Sequence, residues 1–123
     1  MKVLLVEDDW DLGEMYSLQL KRSGHSVEWA RDGQAALDLL DGQPADIIVL
    51  DILLPGSNGL NVLYELRSYD DWHELPVIIL SNVPAADIGM TPKKLAELGV
   101  KAYLVKARTK PLQLVDTLAK VAA

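Results

Sequence analysis

Strand-like and helix-like segments alternate five times along this chain of 123 residues, which predicts an α/β fold. The expected architecture is a doubly wound, five-stranded parallel sheet with right-handed crossovers and helices on both faces. Two further observations support it. Runs such as Ile47-Ile48-Val49-Leu50 are continuously apolar, as strands buried on both faces require. Half of the residues are apolar, which at this length supports one core and hence a single domain over residues 1–123.

Lys2–Val6 is the first strand, and a helix from about Trp10 to Arg22 follows it. Leu12, Met15, Tyr16, Leu18 and Leu20 give that helix an apolar face, and Gly24 stops it. Ser26–Ala30 alternates apolar with polar residues, as an edge or half-exposed strand does. Asp32 caps a second helix with Ala36, Leu37 and Leu40 on its face and Gly42 as terminator. Ala45–Leu50 is the third strand, and the third helix starts near Asn58 with Leu60, Leu63 and Leu66 inward. Pro76–Leu80 is the fourth strand. Beyond it, Ser81–Met90 is the longest irregular stretch and a candidate mobile loop. Thr91 caps a fourth helix, with Pro92 at its first position and Gly99 past its end. Lys101–Val105 is the fifth strand, and a fifth helix from near Thr109 carries Leu112, Val115, Leu118 and Val121.

Composition excludes several functions. With 12 Lys and Arg against 18 Asp and Glu, the net charge of −6 disfavours non-specific nucleic-acid binding, which neutralises phosphates with cations. The absence of cysteine removes disulfides, Cys-ligated zinc and a thiolate nucleophile. The first apolar run turns acidic at Glu7, too early for a secretory signal, and no run is long enough to span a membrane. The expectation is a soluble, cytoplasmic protein without membrane or direct nucleic-acid partners.

In open α/β sheets, ligands bind beyond the carboxyl ends of the strands. There the sequence sets Glu7-Asp8-Asp9, Asp51, Ser81 and Lys106, while the second strand offers only Arg31 and Asp32, a turn and a cap. Singly, these residues have ordinary explanations: Asp8 or Asp9 as a helix cap, Asp51 as a turn cap, Ser81 as a satisfied hydroxyl, Lys106 as a surface cation. Together they bring carboxylates, a hydroxyl and an ammonium to one end of one sheet. Two unit charges about 5 Å apart repel by roughly 3 kcal/mol at an effective dielectric near 20, so such a cluster calls for a cation or a proton. Oxygen ligands without His or Cys suit Mg²⁺ better than zinc. A carboxylate left free could then act as the nucleophile of phosphoryl transfer, with Lys106 and Ser81 facing the transferred oxygens.

These residues resemble the receiver domains of bacterial two-component response regulators. The likeness covers essentially the whole chain: Val6-Glu7-Asp8-Asp9, Asp51-Ile52-Leu53-Leu54-Pro55-Gly56 with Gly59, Ser81 after the fourth strand, and Tyr103-Leu104-Val105-Lys106 at the fifth. The resemblance implies a flavodoxin-like (βα)5 fold with strand order 2-1-3-4-5. It implies Asp51 as phosphoacceptor, Mg²⁺ held by Asp8, Asp9, Asp51 and the Ile52 carbonyl, and Lys106 on the phosphoryl group. Ser81 and Tyr103 would be the switch pair, the hydroxyl moving toward the phosphoryl oxygen and the ring turning inward. Implied partners are a sensor histidine kinase or phosphotransfer protein, and an output partner on the face of the fourth helix, fifth strand and fifth helix. The implied protein is a signalling domain rather than an enzyme, monomeric or weakly dimeric on phosphorylation.

Departures from the family pattern are specific. Ala107 follows Lys106 where proline with a cis peptide is common, so a trans bond is expected. Asn82 replaces a smaller residue, the Ser81–Gly99 stretch is about three residues longer than usual, and Lys101-Ala102 replace acidic residues tied to one dimer mode. Leu53 and Val83 are apolar where polar side chains could orient an attacking water, which predicts slow autodephosphorylation. Trp10 is expected to pack or lie at the surface, Trp29 to be half-buried, and His25 and His73 to be surface residues. Three rival readings remain: an aspartate-nucleophile phosphatase, which would need a second aspartate at Leu53; a flavodoxin-like cofactor binder, whose anionic phosphate Glu7, Asp8 and Asp9 would repel; and a degenerate receiver that binds partners without phosphorylation.

Overall fold

The computed structural model describes residues 1–54 and 56–122, with Ser57 described by its backbone. Pro55, part of the motif from Asp51 to Gly56, lies outside the described residues. The elements run β1 (Lys2–Val6), α1 (Trp10–Arg22), β2 (Ser26–Ala30), α2 (Gly33–Gly42), β3 (Ile47–Leu50), β4 (Leu53–Leu54), β5 (Ser57–Asn58), α3 (Gly59–Ser68), β6 (Val77–Ser81), α4 (Pro92–Glu97), β7 (Val100–Val105) and α5 (Pro111–Ala122).

The main sheet is five-stranded and parallel in the order β2-β1-β3-β6-β7. Among the described residues, the short strands β4 and β5 pair with each other alone, as an antiparallel ribbon. With the ribbon set aside, the five sheet strands take the expected 2-1-3-4-5 order.

Strand side chains alternate between two cores because successive residues point to opposite faces. Val3 and Leu5 of β1 face Tyr16, Leu20, Leu114 and Leu118, the inner sides of α1 and α5. Leu4 and Val6 face the other layer, with Leu40, Leu63, Leu66 and Leu95 from α2, α3 and α4. The central strands β3 and β6 are buried along their whole length, as their continuous apolar runs require.

The caps follow the sequence. Asp9, Asp32, Asn58 and Thr91 each accept a first-turn N–H, at 2.9, 2.7, 2.8 and 3.1 Å. The irregular stretch after β6 holds one 3₁₀ turn, Ala85–Ile88, and anchors itself through the buried Met90. The Lys106–Ala107 peptide is trans, as expected for alanine. Among the described residues, no helix is long and apolar enough to cross a membrane.

Candidate functional site

Parallel register builds the site. Val6 pairs with Leu50, so the next residues, Glu7 and Asp51, emerge side by side at one sheet edge. Ser81 pairs with Val105, which places Lys106 beside Ser81 at the same edge. Four strands thus deliver Glu7, Asp51, Ser81 and Lys106 to one pocket, with Asp8 at its rim.

The centre is an ion-pair bridge. Lys106 Nζ donates to Asp51 Oδ2 at 2.7 Å and to Glu7 Oε1 and Oε2 at 2.6 and 2.8 Å. Asp51 Oδ1 accepts the Leu53 N–H at 3.0 Å. Glu7 and Asp51 are 2% and 3% exposed, and the Lys106 side chain 10%. Burial pushes the Glu7 carboxyl up to about 7; Lys106 opposes that rise and the nearby Asp51 adds to it. For Lys106, burial pulls the pKa down, but the bonds to Asp51 and Glu7 outweigh it and hold the ammonium above its usual value.

Carboxylate oxygens of Glu7, Asp8 and Asp51 lie within 4.8 Å of one another, close enough to share a cation. Asp9 stands apart from this trio as the exposed cap of α1, its Oδ1 on the Leu12 N–H. The Ile52 carbonyl accepts the Gly59 N–H at 2.8 Å. A Cβ on Gly59 would meet the Asp51 carbonyl oxygen at 2.3 Å, so only glycine lets α3 start this close to the Asp51 backbone.

The expected switch residues converge on Val83. Ser81, fully buried, accepts the Val83 N–H through Oγ at 3.3 Å, and the half-buried Tyr103 hydroxyl donates to the Val83 carbonyl. Asn82 Oδ1 accepts the Ala107 N–H at 3.0 Å, lacing the loop after β6 to the loop after β7.

Two features are not evident from the sequence. Glu7 differs from the rest of its acidic run only in its place one residue past β1, level with Asp51. Arg31 is more than a turn residue: it donates to the Asp8 carbonyl at 2.8 Å while its guanidinium sits 4.2 Å from the centroid of the Trp10 ring. Trp29, half-buried as expected, donates to the Glu7 carbonyl at 2.8 Å, so Arg31 and Trp29 fix the acidic loop from outside. Trp10 is 60% exposed and meets Trp29 edge-on. His25 and His73 lie away from the cluster, bonded to the Met1 ammonium and to the Asp70 carbonyl.

Comparison with known proteins decides the family. The family model of the response regulator receiver domain matches residues 3–119. The chain belongs to the response regulator receiver family. Among solved structures, this receiver is similar to the chemotaxis response regulator CheY4 of Vibrio cholerae, with 28% identity and a TM-score of 0.84 over 98% of this chain and 97% of that one. It is also similar to the non-phosphorylated HemR receiver domain from Leptospira biflexa, with 28% identity and a TM-score of 0.86 over 99% and 94%. The Mn(2+)-bound form of response regulator Rcp1 matches with 29% identity and a TM-score of 0.75 over 96% and 89%. Membership carries the fold class expected from sequence and implies phosphoacceptor signalling through interaction with a histidine kinase or phosphotransfer partner.

Proposed function

We propose that this single domain is a cytoplasmic phosphoswitch in which Asp51 accepts a phosphoryl group, with Mg²⁺ as the assisting cation. The phosphoryl group comes from a sensor histidine kinase or a phosphotransfer protein. The observation that carries this reading is the Lys106 ammonium, 2.7 Å from a buried Asp51 oxygen and steadied on its other side by Glu7.

In the transfer, an oxygen of Asp51 forms a bond to phosphorus while the donor's phosphorus–nitrogen bond breaks. The electron pair stays on the departing imidazole nitrogen, which takes its proton from water. Lys106 meets the phosphoryl oxygens, and Glu7 keeps it in place as charge moves from the carboxylate to the phosphoryl group. Such transfer asks chiefly for positioning and charge neutralisation, which these residues supply.

The donor set suits a hard cation. All candidate ligands are oxygens; both Glu7 oxygens are on Lys106, whereas Asp51 gives Lys106 only Oδ2, so Asp8 and Asp51 are the carboxylates left to hold it. Asp9 and the Ile52 carbonyl complete the proposed set, although each already has a partner, in Leu12 and Gly59. When bound, Mg²⁺ supplies positive charge against the phosphoryl oxygens.

Ser81 and Tyr103 carry the signal outward. Turning Ser81 Oγ toward a phosphoryl oxygen takes the acceptor from the Val83 N–H, and the same peptide region holds the Tyr103 hydroxyl. A change at Asp51 is thereby coupled to a ring on β7, within the α4–β7–α5 face proposed to bind the output partner.

Treatment with a small acyl phosphate and Mg²⁺, read by intact mass, tests the assignment. The expected result is a Mg²⁺-dependent phosphoryl adduct on wild type and none on Asp51→Asn. An equal adduct on the variant would refute Asp51 as the acceptor. A second reading, a receiver that binds without phosphorylation, is favoured by the Asn82–Ala107 bond, which laces the loops flanking the site. No adduct on wild type would select it.

A further inference from the structure

Charge is divided unevenly along the chain. Residues 1–91 carry sixteen Asp and Glu against five Lys and Arg, whereas residues 92–123 carry seven Lys and Arg against two Asp and Glu. The basic stretch folds as α4, β7 and α5, and β7 is an edge strand of the sheet. Lys106 is taken up by Glu7 and Asp51. The other six cations, Lys93, Lys94, Lys101, Arg108, Lys110 and Lys120, are exposed, and among the described residues none has an intramolecular ion pair. An acidic protein thus presents one basic face.

That face has shape as well as charge. Two clefts of about 470 and 410 Å³ lie between β7 and α5 and share Thr117 and Lys120. Lys101 lines the first with Ala102, and Arg108 lines the second with Leu104 and one carboxylate, Asp116. β7 pairs with β6 on one side and, among the described residues, with no strand on the other. Such an edge offers backbone donors and acceptors to an extended segment, while side-chain pockets beside it select the sequence.

We propose that this groove binds an acidic, extended protein segment, its backbone lying along β7 and its Asp and Glu side chains meeting Lys101, Arg108 and Lys120. Unpaired cations call for an acidic occupant, and the edge strand calls for an extended one. A DNA duplex suits the face less well. It brings a charge about every 1.7 Å along its axis, and most of that charge would lie against the acidic remainder of the chain. The proposal rests on the receiver reading for the role of this face as an output surface; the binding itself needs only the groove and its charge.

Fluorescence anisotropy with a labelled peptide of about twelve residues, alternating Glu and Thr, tests it on the full chain. Saturable binding is expected at low salt, weakening about tenfold or more in about 0.3 M salt. The same loss is expected in the Lys101→Glu/Lys120→Glu double variant, while Lys21→Glu on α1 leaves binding unchanged. Equal binding of a peptide with Gln in place of Glu, or undiminished binding by the double variant, would overturn the proposal. So would a DNA duplex that binds more tightly than the peptide, or a concentration-dependent dimer abolished by the same two substitutions, which would assign the face to a second copy of this chain. Intact mass after acyl phosphate treatment of the same variants separates the two readings. An adduct on Asp51 without peptide binding removes this inference alone, and peptide binding without an adduct removes the phosphoswitch alone.

Discussion

Lys106 is one cation between two buried carboxylates, so the pocket holds excess negative charge before any phosphoryl group arrives. Lys106→Met leaves both carboxylates uncompensated, and the expected cost is about 3–5 kcal/mol near pH 8, with slower phosphorylation of Asp51. Urea denaturation measures it; wild-type stability in the variant would show that the bridge contributes nothing. Glu7 sets the pH dependence. Its carboxyl is raised from 4.5 to about 7 by burial, so the folded state holds that proton more tightly than the unfolded chain. The resulting stability is fully present below pH 4.5 and is lost as pH rises through 7. Wild type should therefore lose stability across that window, and Glu7→Gln should flatten the curve; parallel curves for the two proteins would contradict the assignment. Leu53, 57% exposed, and half-buried Val83 give an attacking water no polar partner from their side chains. The phosphorylated state should last minutes or longer with Mg²⁺ present, and Leu53→Asn should shorten it by about tenfold, less than the hundredfold or more of a full general acid or base because an amide only orients the water. A lifetime of seconds in wild type would refute this. Asp51, Asp8, Ser81 and Lys106 were legible because each follows an apolar run at the end that parallel strands share. The Glu7–Lys106 pair was not: it joins residues 99 positions apart, and no periodicity links them.

Among the elements, α3 and α4 depend on one side chain. Arg67 donates to the carbonyls of Leu98, Trp72 and Leu75 at 2.6, 2.9 and 2.7 Å, tying the end of α4 to the loop before β6. Burial lowers its pKa, and among the described residues it forms no ion pair with a carboxylate. Arg67→Met strips three carbonyls of their donor at once, and a loss of about 3 kcal/mol is expected, since each buried unsatisfied group costs about 1–3 kcal/mol. Arg67→Lys should recover only part of it, because an ammonium lacks the planar fork that reaches three acceptors. Thermal denaturation of both variants checks this, and equal stability of Lys and Arg at this position would refute the fork argument. Gly99 belongs to the same construction: its φ of 74° and the Arg67 Nη2 only 2.5 Å from a notional Cβ leave no room for alanine. Gly99 was legible as a helix stop, but its contact with Arg67 was not, because that contact depends on how α3 and α4 pack. Other differences are local. α5 begins at Pro111 rather than near Thr109, since the Thr109 hydroxyl closes the preceding turn on the Val105 carbonyl. The ribbon of β4 and β5 has two residues per strand, too few to show an alternation.

The molecule as a whole places its acidic residues where folding alone is least able to tolerate them. Parallel strands share one polarity, so the sheet that buries Leu4, Ile48 and Ile79 also forces Glu7 and Asp51 together, with Asp8 beside them. Lys106 relieves part of the repulsion, and the remaining negative charge makes the folded state a better cation ligand than the unfolded chain, where these carboxylates lie far apart. Mg²⁺ should therefore stabilise the fold by mass action, by about 2.7 kcal/mol when the free ion reaches roughly a hundred times its dissociation constant. The gain should be reduced in Asp8→Asn and in Asp51→Asn, each of which removes one carboxylate from the proposed set. Either variant should also be more stable than wild type in the absence of the ion, because it lessens the same repulsion. Urea midpoints with and without Mg²⁺ on the three proteins measure both effects, and they do so without reference to phosphorylation. An equal Mg²⁺ gain in wild type and both variants would place the ion elsewhere on the acidic surface, and no gain in wild type would remove the cation from the pocket.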